Sequence, residues 1–235
     1  MHPSIETVFL DAGGVLVFPN WQRASDEFAA HGVTVEASRL GAAEPHAKKR
    51  LDTGDRIAAS TDSQRSWPYF NLVLEAAGVA ETAATDAALA DLHAYHARHN
   101  LWEIVPADVV PALARLRARG LRLIVISNAN GRLHACLDRV GLSACLDGAF
   151  DSFVEGVEKP DPRLFQIACE RTQTQPRTTI HVGDIYHVDV VGARNAGIRP
   201  VLLDPLGLYE SADCARVPTL TVLADRLEER RLDWP

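Results

Sequence analysis

Short apolar runs alternate with amphipathic stretches along the second half of the chain. Residues 121–126 form one run, ending at Ser127 and Asn128. Residues 179–182 form another, ending at Gly183 and Asp184, and 200–203 form a third. Runs of this length, bounded by polar or glycine residues, predict buried strands. A weaker run over 150–154 predicts a short one. Between them, 111–119, 132–140, 162–171 and 190–196 carry helical spacing, with Leu113 and Leu116 turned inward in the first. Gly120, Gly141 and Gly197 stop three of these helices, and Pro162 suits a first turn. One more apolar run, Thr7 to Leu10, stands near the start and ends at Asp11, where Gly13 and Gly14 turn the chain. Strands alternating with helices imply a parallel sheet covered on both faces: an α/β, Rossmann-like, doubly wound core.

The pattern changes between residues 18 and 99. Helical spacing runs over 21–31, 64–77 and 86–99, and no clear strand is present. This segment is expected to be a helical domain with its own small core, inserted into an α/β core made of 1–17 and 100–235. Prolines near Phe18-Pro19-Asn20 and between 102 and 106 suit the two hinges. Residues 220–232 predict a final amphipathic helix.

At 235 residues the chain has room for one large domain, or a core with an insert. Its hydrophobic content of 47% and charged content of 23% are those of a globular protein. No apolar stretch reaches about 18 residues, so no transmembrane helix is expected. The first six residues lack the basic and apolar regions of a secretion signal, so a cytoplasmic protein is expected. A formal charge of −7 argues against nucleic acid as a partner, but not against a small anionic substrate. Cys136, Cys145, Cys169 and Cys214 form neither a Cys-x-x-Cys pair nor zinc-like spacing, so reduced thiols in or beside helices are expected. The expected partner is a small-molecule substrate, with neither nucleic acid nor membrane, bound by a monomer or homodimer.

Four polar points stand at strand ends or in the loops that follow: Asp11, Ser127 with Asn128, Lys159, and Asp184 with Asp189. The carboxyl ends of strands are where open α/β sheets bind ligands. There Asp11 can serve as a nucleophile that forms a covalent intermediate, or simply cap a turn. If Asp184 and Asp189 join it, the carboxylates repel one another, and a hard cation such as magnesium relieves that. Asp189 can instead cap the helix from 190. Lys159 can neutralise both Asp11 and a transferred phosphoryl group, or stand as a solvated loop lysine. Ser127 and Asn128 offer donors for phosphoryl oxygens, or turn and helix caps. Gly13 and Gly14 permit close backbone approach to a ligand.

In order along the chain, Asp11-Ala12-Gly13-Gly14-Val15, Ser127-Asn128, Lys159-Pro160-Asp161-Pro162 and Gly183-Asp184-Ile185-Tyr186-His187-Val188-Asp189 resemble the motifs of the haloacid dehalogenase superfamily. Residues 192–197 resemble its usual following helix. The resemblance covers roughly residues 5–17 and 100–205. It implies a hydrolase with a helical cap inserted after the first motif, closing over the site. It also implies Asp11, Lys159 and Ser127 as catalytic residues. Ser127, Asn128, Lys159, Gly13 and Gly14 would bind phosphate, and Asp11, the Gly13 carbonyl, Asp184 and Asp189 would bind Mg2+.

One position departs from the pattern. Phosphatase members carry a second acid, their proton donor, where this chain has Gly13. Three functions follow. A magnesium-dependent phosphatase on a small phosphomonoester is favoured, its proton supplied by His187, His93, His96 or His99, or its leaving group needing none. A 2-haloacid dehalogenase would work without metal, since halide leaves as an anion. A non-catalytic binding protein of the same fold is the third. In the insert, the aromatic residues Trp21, Trp67 and Tyr69 are candidates for either substrate lining or core. His46 and Asn71 are further candidates for substrate lining, and the basic run Lys48-Lys49-Arg50 either meets a second anionic group on the substrate or forms a solvated helix face.

Overall fold

The computed structural model describes residues 4–229 and 231–232, and all side chains among them except those of Ser66 and Trp67. Met1, His2 and Pro3 of the expected leaderless start lie outside the described residues, as do the side chain of Trp67 and Arg230 of the final helix. The chain divides into two compact units, one of residues 1–17 and 105–235, the other of 18–104.

The first unit opens with β1 (Thr7–Leu10), buried along its whole length. The second unit then runs β2 (Phe18–Pro19), α1 (Trp21–Ala30), α2 (Ala37–Leu51), α3 (Gly54–Ala59), α4 (Asp62–Ala76), α5 (Ala83–His99) and β3 (Trp102–Ile104). Two features depart from the sequence pattern. β2 and β3 pair antiparallel, and at two and three residues they are too short for alternation to show. α2 and α3 form where no helix is predicted, α2 across Gly41 and Pro45. Its buried face, Leu40, Ala43, Ala47 and Leu51, follows helical spacing and packs into the core of this unit with Phe28, Phe70 and Leu92. α5 begins three residues before its predicted start, because Thr82 and Thr85 form a capping box.

The first unit resumes with α6 (Val109–Ala118), β4 (Arg122–Ser127), α7 (Leu133–Arg139), β5 (Gly148–Asp151) and α8 (Ser152–Glu155). It continues with α9 (Pro162–Thr172), β6 (Thr179–Gly183), α10 (Val191–Asn195), β7 (Arg199–Leu203), β8 (Ala215–Val217) and α11 (Leu220–Glu228). A π-helical turn, Tyr186–Val190, feeds α10. The strand expected over 150–154 ends at Asp151, where α8 begins. β8 has no counterpart in the predicted elements.

All six strands of the main sheet run parallel, in the order β5-β4-β1-β6-β7-β8. The chain builds outward from β1 through β4 to β5, then returns to β6 on the other side of β1. Strand order therefore reverses beside β1, the place where doubly wound sheets open a crevice at their carboxyl ends. Register sets what lines it. Leu10 lies opposite both Val125 and Val182, so Asp11, Ser127 and Asp184 all follow from neighbouring strands at one edge. No helix among the described residues is long and apolar enough to cross a membrane. All four cysteines are free thiols, three of them buried.

Candidate active site

β1 delivers Asp11 with its backbone fixed, since the Asp11 N–H donates to Val182 O of β6 at 2.8 Å. The chain then turns tightly. Ala12 O accepts the N–H groups of Leu16 and Val17, each at 2.9 Å, and Gly14 takes φ +81°, a conformation that favours glycine. The Asp11 side chain keeps 13% of its surface exposed, whereas those of Lys159 and Asp189 keep 1% and 2%. Within this trio, Asp11 is the side chain most open to solvent.

Lys159 stands between two carboxylates. Its Nζ lies 2.8 Å from Asp11 Oδ1 and 2.7 Å from Asp189 Oδ1. Burial works against the ammonium, but the two carboxylates outweigh it and hold the Lys159 pKa above the ordinary lysine value. Burial likewise works against the Asp189 carboxylate, and Lys159 and His181 reverse that, holding it below the usual carboxylate range. The solvated-loop alternative for Lys159 does not hold.

Asn128 aims this lysine. Its Nδ2 donates to Lys159 O at 2.9 Å, and its Oδ1 accepts the Lys159 N–H at 2.7 Å. The amide expected to meet phosphate is thus committed to the Lys159 backbone. Ser127 is buried at the end of β4, with only a long 3.5 Å contact from its Oγ to Asn128 O. The loop that follows is tied down by residues the sequence pattern did not single out. Asp151, at the end of β5, accepts the N–H groups of Gly131, Leu133 and Phe153, and Ser152 Oγ accepts that of Ala129.

Asp184 follows β6, and its carboxylate gathers with those of Asp11 and Asp189, the three ligand atoms lying within 4.8 Å of one another. Asp189 does not cap α10; its Oδ2 accepts the Ile185 N–H at 3.1 Å inside the π-helical turn, and its Oδ1 takes Lys159 and His181. Gly183 makes room for it, since a Cβ there would fall 2.1 Å from Asp189 Cγ. His181 is another residue that sequence reasoning missed. The available signal was a polar side chain inside an apolar strand, which needs a partner when buried. His187 is half-buried, its ring 5.2 Å from that of Tyr186.

The insert candidates fall within the second unit. Tyr69 and Trp21 pack with Phe70 around its core. Trp21 Nε1 donates to Glu44 at 3.1 Å. In the basic run, Lys48 pairs with Glu44 at 2.8 Å and Arg50 with Glu75 at 2.9 Å, while Lys49, His46 and Asn71 are exposed. His96 accepts the Leu101 N–H beyond the end of α5, and His99 stacks by Tyr95.

A profile of haloacid dehalogenase-like hydrolases matches residues 5–197. The chain belongs to this family. Among haloacid dehalogenase-like hydrolases, "haloacid dehalogenase-like hydrolase domain-containing protein 3" of Bos taurus is 32% identical, over 74% of this chain and 70% of that protein. The ribulose-1,5-bisphosphate 5-phosphatase of Halopiger xanaduensis is 29% identical, over 71% of this chain and 69% of that enzyme. The crystal structure of 2-haloacid dehalogenase from Pseudomonas syringae pv. Tomato DC3000 superposes with a TM-score of 0.59 at 26% identity, over 96% of this chain and 99% of that one. The chain is therefore a hydrolase with the family's α/β core, and both phosphatases and dehalogenases stand among its relatives.

Proposed function

We propose that this hydrolase is a magnesium-dependent phosphatase acting on a small phosphomonoester through an aspartyl-phosphate on Asp11. The observation that carries the proposal is the Lys159 ammonium, buried and held against both Asp11 and Asp189. Burying an ammonium is costly, and here it faces a partly exposed carboxylate at the sheet's switch point.

A hard divalent cation fits this cluster. Asp11, Asp184 and Asp189 bring three carboxylate oxygens within 4.8 Å of one another, and Lys159 Nζ bridges those of Asp11 and Asp189. Asp11 Oδ1 is buried, with Lys159 Nζ 2.8 Å away and no other partner among the described residues. Asp11, Asp184 and the Gly13 carbonyl would hold magnesium, with Asp189 behind them holding Lys159. When bound, magnesium neutralises phosphoryl oxygens and orients them for in-line displacement.

The remaining steps belong to the chain itself. A carboxylate oxygen of Asp11 attacks phosphorus, and the bond to the ester oxygen breaks as the leaving group takes its electron pair. Lys159 and the Ser127 hydroxyl counter the charge on the phosphoryl oxygens. Water then attacks the same phosphorus, inorganic phosphate departs, and the Asp11 carboxylate returns. Gly13 cannot protonate the leaving oxygen. Acyl, anomeric and aryl phosphates, whose leaving groups need little protonation, are therefore the favoured substrates. His187, in the π-helical turn after Asp184, is the candidate donor for others.

Gly13 also favours a second reading, a 2-haloacid dehalogenase, because halide leaves without a proton. One assay separates the two. We expect aryl phosphate turnover with magnesium that is lost on chelation and in Asp11→Asn. Halide release from a 2-halo acid, unaffected by chelator, would overturn the phosphatase.

A further inference from the structure

His181 is wholly buried in β6, between Phe9 of β1 and Pro200 of β7 in register. Its ring meets Phe165 edge to face at 4.8 Å. Its Nε2 lies 3.0 Å from Asp189 Oδ1, the same oxygen that takes Lys159. Nδ1 is buried with no hydrogen-bond partner among the described residues. The tautomer follows from this arrangement. An Nε2 lone pair facing a carboxylate would repel it, so Nε2 carries the proton and Nδ1 is bare.

We propose that His181 is a positioning residue: through its Nε2–H it fixes the Asp189 carboxylate, and through Asp189 it keeps the Lys159 ammonium aimed at Asp11. The proposal deepens the phosphatase function and rests on it. Asp189 is held from three directions, by Lys159, by His181 and by the Ile185 N–H. Without His181, Asp189 Oδ1 would answer to Lys159 alone. The carboxylate could then rotate and draw the ammonium away from Asp11. Imidazole also suits the position by its charge. A neutral imidazole donates a hydrogen bond through its Nε2–H without adding a second cation. A lysine or arginine there would cancel part of the negative charge that favours a divalent ion. Groups that orient directly acting residues in this way commonly change activity by about 10- to 100-fold when removed.

The test uses His181→Leu, which fills the space without a donor, and His181→Gln, which restores a donor amide at similar reach. Two readouts are taken on the full chain: the crystal structures of both variants, and steady-state turnover of an aryl phosphate with magnesium. In His181→Leu we expect the Lys159–Asp11 contact to open and kcat to fall about 10- to 100-fold with KM nearly unchanged. In His181→Gln we expect the contact kept and most of kcat regained. A leucine variant that keeps both the contact and kcat overturns the proposal, as does a glutamine variant that loses as much as the leucine one. If His181→Leu does not fold, His181→Met supplies the donor-free side chain. A wild-type protein that turns over no phosphate ester, while Lys159 still shifts in the leucine variant, contradicts the phosphatase and not the positioning.

Discussion

At position 13 the chain carries a hydrogen where the resemblance to phosphatases calls for a carboxylate, and the effect on rate depends on the leaving group. With a series of aryl phosphates we expect kcat/KM to rise steeply as the leaving phenol becomes more acidic. In Gly13→Asp the dependence should flatten, with the poorest leaving groups gaining up to about 10²–10⁴-fold. An unchanged slope would show that another group already supplies the proton. Residues at this scale were legible in the sequence when they ended an apolar run. Asp11 and Asp184 announce themselves by following strands, and Ser127 by ending one. Asn128 was legible as a polar residue but not as the clamp on Lys159, because its partner is 31 residues away and only the fold joins them. His181 was hidden inside a strand whose every residue is buried.

At the scale of elements, the loop after β4 is held by α8 and the end of β5 rather than by its own sequence. Asp151 is 2% exposed and accepts three backbone N–H groups, one from that loop (Gly131) and one from the first residue of α7 (Leu133). Asp151→Ala would leave these donors without a partner, at about 1–3 kcal/mol for each one that stays buried. We expect a loss of at least about 1 kcal/mol in urea unfolding, together with reduced turnover as Ser127 and Asn128 loosen. Unchanged stability and turnover would contradict this support. The sheet was largely readable, because parallel strands buried on both faces give continuous apolar runs. What escaped was short or locally disfavoured: the pair β2 and β3, the three-residue β8, and α2 with its internal Pro45. The π-helical turn was also missed, since its shape comes from seating Asp189 between Ile185 and Lys159.

For the whole molecule, the buried cluster ties stability to pH. Asp189 lies below the ordinary carboxylate range and Lys159 above the ordinary lysine value, so both stay charged in folded and unfolded chains between about pH 5 and 9. His181 differs, because its folded pKa is depressed. Below about pH 6.5 the unfolded chain binds a proton that the folded one does not, so stability falls as pH falls, by at most about 1.4 kcal/mol per unit from this group. Metal-free protein should therefore lose stability between pH 7 and 5, and His181→Gln should lose less; equal losses would contradict a buried uncharged imidazole facing Asp189, Lys159 and Asp11. The second unit has its own core and capped helices, but nothing in the pattern of its aromatic and basic residues showed that Trp21, Tyr69, Lys48 and Arg50 are engaged within that unit. The central claim is phosphoryl transfer to Asp11. The most direct measurement is an acid quench of the protein turning over an aryl phosphate with magnesium, followed by mass spectrometry of its peptides. We expect one phosphoryl group on the peptide bearing Asp11, absent in Asp11→Asn and after chelation. Steady release of phosphate with no such adduct, at turnover that Asp11→Asn leaves intact, would contradict the account.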